Sequence, residues 1–274
     1  MKKSVSELSL TNIATNDCNN KYSLMIKNAG WDIHTHIHRH EYASKLLSRK
    51  FSVDDYGMYI IQLFHIYDTM EVLISESTNP LLMKFWKLFG ERLKRTDLLI
   101  NDLEYYYGSN WRNKLNENKL YATDYYTLRL IKVYNKNPYL LLAHAYIRYF
   151  GDLNGGRIIR KRFLKNNNLA EGMYFYTFST DLKLLKKDYR LFLDNLGWLL
   201  SDREKKLFLE EVKEGYLLNY SLFTDLFMSH KNDKTKYKCK VSSLLNVVQV
   251  NSPIFGMVIF VLVCCFTYPL FCVE

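Results

Sequence analysis

Apolar residues recur along this chain at the three-and-four spacing of one helical face, and no stretch alternates with the period of two that marks a strand. Residues 1–21 are polar and rich in Asn, Thr and Ser, so they are expected to be disordered. Met25 to Leu47 reads as one helix weakened by Gly30. Ser52 with Asp54 and Asp55 caps the next, whose wide apolar face carries Tyr56, Tyr59, Leu63, Tyr67 and Met70. Asn79-Pro80 opens a third that runs through Phe85 and Leu93 to Tyr107, with Gly108 as its stop, and Thr123-Asp124 starts a fourth. Later come a short aromatic run from Met173 to Phe178, a helix from Thr180 to about Trp198, and a long helix to about Phe227 opened by the capping box Ser201/Glu204. No repeat of fixed period appears, so residues 22–230 are predicted to form one all-α domain.

Between the fourth helix and the aromatic run lies the stretch around which the chain is organised, Leu140 to Lys161. Asn137 before Pro138 supplies an N-cap and a first-turn proline, and Leu142, Tyr146, Tyr149, Phe150 and Leu153 keep helical spacing. Gly151, Gly155 and Gly156 then interrupt it. An interior glycine costs about 1 kcal/mol against alanine, so three of them break a helix unless something flat must press on its backbone. Gly151 and Gly155 share one face. A plain loop through Asp-Leu-Asn-Gly-Gly is the competing reading.

The C-terminus is of another character. No charged residue occurs from Val241 to Val273, and the 19 residues from Ile254 to Cys272 are enough to cross about 30 Å of hydrocarbon. Residues 253–273 therefore read as a transmembrane tail anchor, and the basic segment 231–252 before it as a juxtamembrane linker that stays cytosolic by the positive-inside rule.

Composition adds exclusions. The formal net charge of +10 suits an anionic ligand, an acidic partner or a membrane surface. It also suits nucleic acid, but no Lys/Arg-aromatic-Gly segment of an RNA-binding sheet is present, so nucleic acid is not expected as a partner. Of 5 cysteines, Cys264, Cys265 and Cys272 lie in the tail, so no disulfide framework is expected and the body reads as cytosol-facing. A C-x-x-C pair and a C-x-x-C-H attachment motif are both missing, which removes thioredoxin-like chemistry and covalent haem.

His34, His36, His38 and His40 alternate, and on a strand all four would form a metal cluster. On a helix they split into His34 with His38 and His36 with His40, on different faces. Neither H-E-x-x-H nor the Glu-x-x-His of a di-iron bundle occurs. A single axial histidine facing a glycine-softened helix across a flat cofactor uses all of these features, and that cofactor is haem. Lys27 stands two turns, roughly 10 Å, before His34 on the same face, within reach of a propionate. Lys186 and Arg190, four apart, would aim two cations at one anionic group. Taken singly, each cation reads as solvated surface charge.

The run Ala143-His-Ala-Tyr-Ile-Arg-Tyr-Phe-Gly-Asp-Leu-Asn-Gly-Gly156 resembles the signature of the eukaryotic, membrane-anchored haem oxygenases, and the resemblance extends from about Lys27 to about Phe227. It implies an all-α, haem oxygenase-like domain with a C-terminal transmembrane helix. By matching position it implies His34 as the proximal iron ligand and Lys27, Tyr146, Lys186 and Arg190 on the haem-carboxylate side. Gly151 and Gly155 match the distal-helix glycines, and Asp152, with Tyr67 and Arg148, the distal hydrogen-bond network. Asn154 replaces the familiar serine, and Trp31 stands where well-known members carry a second lysine. The implied activity is cleavage of haem b, substrate and cofactor at once, to biliverdin, carbon monoxide and ferrous iron, with electrons from an acidic, NADPH-dependent cytochrome reductase. The implied location is the endoplasmic reticulum membrane, tail-anchored, with the catalytic domain facing the cytosol. A haem-binding or haem-sensing protein without turnover is the alternative.

Overall fold

A computed structural model describes residues 21–229. The expectations for residues 1–20 and for the linker and tail anchor lie outside them. The chain divides after Leu226, and all but the last three described residues belong to the first unit. Among the described residues every regular element is helical.

The predicted first helix is three: α1 (Tyr22–Ala29), α2 (Trp31–His38) and α3 (Glu41–Leu46). The breaks have separate causes. A Cβ at Gly30 would overlap the Tyr216 ring, so the chain turns at the one residue that lets that ring approach. At the second break His40 caps α3, its Nδ1 accepting from the Tyr42 backbone N–H at 3.0 Å. Helix α4 (Val53–Ser75) starts at the expected place with a complete capping box between Ser52 and Asp55.

The predicted third helix is also divided, into α5 (Pro80–Leu93) and α6 (Thr96–Tyr107). Glu71 of α4 decides this. Its carboxylate accepts from the backbone N–H groups of Arg95 at 2.6 Å and Thr96 at 3.1 Å, and from the Thr96 hydroxyl at 2.6 Å. It thereby caps α6 from another element. Gly108 ends α6 with φ +56°, as its position predicts. A short helix not read from the sequence follows, α7 (Trp111–Glu117), which buries Trp111 and Leu115.

Helix α8 (Tyr121–Lys136) begins two residues before the expected start, because Asp225 reaches across to accept the Ala122 N–H at 2.7 Å. The next helix opens with a 3-10 turn at Pro138–Leu140 and becomes α9 (Leu141–Asn166), 26 residues without interruption. The loop reading is thus excluded. Residues 141–150 of α9 are all buried, and that packing outweighs the glycine cost. The aromatic run is a 3-10 turn at Tyr174–Tyr176. Asp181 caps α10 (Leu182–Leu199), and the Ser201/Glu204 box opens α11 (Asp202–Ser229). Helix α4 packs on α5, α6 and α8, and α1 on α10, while α9 runs through the middle, touching α4, α5, α8 and α10.

Candidate functional site

The middle of α9 has two characters. Inward, Asp152 is 7% exposed and its Oδ2 accepts the Tyr67 hydroxyl of α4. Arg148, one turn earlier, donates through Nη1 to Asn219 Oδ1 of α11 and lies over the Tyr67 ring at 5.1 Å. Burial pushes the Asp152 carboxyl up to about 6, against the opposing influence of Arg148, Tyr67 and Arg95. Tyr67 of α4 and the α9 pair Arg148 and Asp152, one turn apart, thus form one buried network.

Outward, a Cβ built on Gly151 or on Gly155 meets nothing within 4 Å. Gly156 differs, because a Cβ there would overlap the Tyr176 ring. Two of the three glycines therefore leave a bare backbone surface, and the third lets the 3-10 turn close on α9. Along the same side Lys186 Nζ donates to Asn154 Oδ1 at 3.3 Å, and the Arg190 guanidinium lies 5.5 Å from the Phe150 ring centroid. Burial raises the Tyr146 hydroxyl, and nearby Arg190 draws it back. Both α10 cations thus reach α9. They border a cleft of about 1810 Å³ whose walls include Arg157, Lys161, Lys165 and Lys183 but not Lys27, His34 or Gly151.

His34 lies on α2, half-buried, with its ring centroid 5.7 Å from that of Tyr216 and 4.5 Å from that of His38. Burial lowers its pKa, as do His38 and Lys27, so the imidazole is neutral near pH 7. Tyr216 and Tyr146 are electrostatic neighbours, which ties the His34 side to the Tyr146 and Arg190 side. Lys27 Nζ sits over the Trp31 ring at 5.3 Å, so the tryptophan positions that cation. The His36 and His40 rings have other tasks. Nδ1 of His36 pairs with the Asp32 carbonyl at 2.8 Å, and His40 caps α3 while its Nε2 meets the Thr224 hydroxyl at 3.2 Å.

Two observations test whether these residues suit haem. Arg148 Nε is buried without a hydrogen-bond partner, an orphan donor beside Asp152 that a distal ligand or water would satisfy. The bare faces of Gly151 and Gly155 are the kind of surface a flat ring needs, and Lys186 and Arg190 set two cations beside them, the charge an anionic ring substituent requires. The residues fit the group.

Two participants escaped the sequence reading. Asn219 orients Arg148, and His144, fully buried, joins Glu211 Oε1 at 2.8 Å through Nε2 and the Tyr126 hydroxyl at 3.4 Å through Nδ1. Their signal was present as polar residues on apolar faces: Asn219 between Leu218 and Leu222, and His144 within Leu142–Ile147.

The sequence profile of the Heme oxygenase family matches residues 20–225. Heme oxygenase 1 of Gallus gallus is 33% identical over 210 residues, covering 74% of this chain and 69% of the relative. Heme oxygenase of Rhodella violacea is 34% identical over 175 residues, 62% of this chain and 72% of the relative. Among solved structures, heme oxygenase-2 from Synechocystis sp. PCC 6803 in complex with heme and NO superposes with a TM-score of 0.71 at 25% identity, covering 80% of this chain and 90% of that one. Heme oxygenase from Leptospira interrogans gives 0.67 at 28% identity, over 74% and 98%. Because the profile runs through every helix that builds the network, from α1 into α11, the chain belongs to the haem oxygenase family.

Proposed function

We propose that this chain holds haem on the imidazole of His34 and opens it to biliverdin, carbon monoxide and ferrous iron, using dioxygen and electrons drawn from NADPH through a reductase. The enzymatic class follows from family membership: the chain is a haem oxygenase. Bound haem supplies both the redox-active iron and the ring that is consumed. The protein's residues steer. Lys27, Tyr146, Lys186 and Arg190 would hold the carboxylate edge, and Gly151 and Gly155 would admit the ring against backbone. The neutral His34 imidazole would hold the iron.

The observation that carries the reading is the state of Asp152. A carboxyl at about 6, fixed by Tyr67 and next to a glycine that faces open space, holds a proton part of the time near neutrality and can deliver it through water. Asn219 orients Arg148, whose charge favours the ionised form of that carboxyl. The basic walls of the cleft favour an acidic electron donor. A tail anchor in the endoplasmic reticulum membrane, with the body towards the cytosol, rests on the length and apolarity of residues 253–273 alone.

The test is the absorption spectrum of the detergent-solubilised full chain with hemin, before and after addition of a cytochrome reductase and NADPH. A histidine-type Soret band that gives way to biliverdin with release of carbon monoxide is expected. Stable haem without biliverdin would leave a haem holder, and no Soret band would remove haem altogether.

A further inference from the structure

His34 and His38 stand one helical turn apart on α2, and neither imidazole makes a hydrogen bond among the described residues, in contrast to His36 and His40. Their ring centroids are 4.5 Å apart with the planes at 83°. An imidazole nitrogen binds a divalent first-row ion at about 2.1 Å, which puts the ring centroid about 3.2 Å from the ion, so two ligands that subtend a right angle at the ion have centroids about 4.5 Å apart whatever the tilt of their planes. The pair already has the spacing of two cis ligands.

We propose that His34 and His38 together form a site for a divalent transition-metal ion when no haem is bound, and that its natural occupant is the ferrous ion set free by ring opening. This rests on the haem reading above, since that ion is released at His34. His38 is exposed and so can turn its ring edge to the ion, and solvent completes the coordination. Among the described residues no third His, Cys, Asp or Glu joins the pair, so the site is a two-residue one that holds and exchanges its ion rather than locking it in place. Cis imidazoles with open positions suit ferrous iron and cobalt(II). A second consequence follows from sharing His34: haem and the divalent ion exclude each other, and a retained ferrous ion delays the next haem.

Cobalt(II), which is stable in air, is the probe. Titrated calorimetrically into the haem-free full chain, it should bind at one exchangeable site, with at least a tenfold loss of affinity in His38→Ala and none in His36→Ala. Preloading with hemin should abolish the same site. Equal cobalt(II) affinity in wild type and His38→Ala, with unchanged helix content by circular dichroism, overturns the proposal. So does undiminished binding to the hemin-loaded chain. A chain that takes up no hemin yet loses cobalt(II) through His38→Ala would overturn the haem reading and sustain the metal pair.

Discussion

The hydroxyl of Tyr67 on α4 donates to the carboxylate of Asp152 on α9, 85 positions later, and both groups are buried. The tyrosine fixes the carboxyl without neutralising it, so Asp152 can hold or yield a proton while staying in place. Asp152→Ala should therefore bind hemin with the His34-type spectrum intact, because the carboxylate is no ligand, yet form biliverdin at least 100-fold more slowly. Oxidation of an added phenol should rise instead. Undiminished biliverdin formation in single-turnover assays would sink the assignment.

Titration of Asp152 has a definite sign. Its folded pKa, about 6, lies above the ordinary 3.8, so its contribution to stability is present below the ordinary value and lost as pH rises through about 6. Asp152→Asn should remove that decline, worth on the order of 3 kcal/mol at most, from a plot of urea midpoint against pH.

Glu211 runs the other way. Burial opposes its charge, but His144 and Arg129 bring its pKa to about 2. Its contribution is present above the ordinary 4.5 and lost as pH falls towards 2. Glu211→Gln should cost about 1–3 kcal/mol at pH 7 and flatten the acid limb of the same plot.

The helix α9 glycines separate fold from function. Gly151→Ala and Gly155→Ala meet open space, so each should stabilise the haem-free chain by up to about 1 kcal/mol, whereas Gly155→Leu should fold and bind hemin at least tenfold more weakly. Gly156→Ala collides with Tyr176 and should cost about 1–3 kcal/mol. Thermal melts with and without hemin distinguish the three.

On α2, His34→Ala should abolish the histidine-ligated Soret band, and His36→Ala should leave it in place, since His36 is engaged with the Asp32 carbonyl of its own helix. Trp31→Lys should tighten hemin several-fold by adding a cation beside Lys27. A weaker complex would mean that the ring under Lys27 matters more than a second charge, and competitive hemin titration reads the difference.

Local chemistry was legible along the chain wherever one element decides its own form. The Ser52/Asp55 and Ser201/Glu204 boxes, the Gly108 stop and the shared face of Gly151 and Gly155 all depend on residues within one or two turns of each other. The signature around Asp152 was equally plain. What only the tertiary structure decided are the places where a distant side chain finishes a helix or a site. Glu71 divides the predicted third helix, Asp225 moves the start of α8, and the Tyr216 ring makes Gly30 a break. Asn219 holds Arg148 across 71 positions, and the silence of His34 and His38 appears only once His36 and His40 are seen to be occupied. Periodicity records which face of a helix is buried, but it carries no record of which polar atom on another helix meets that face, because such pairing is set by packing and the need to satisfy buried donors.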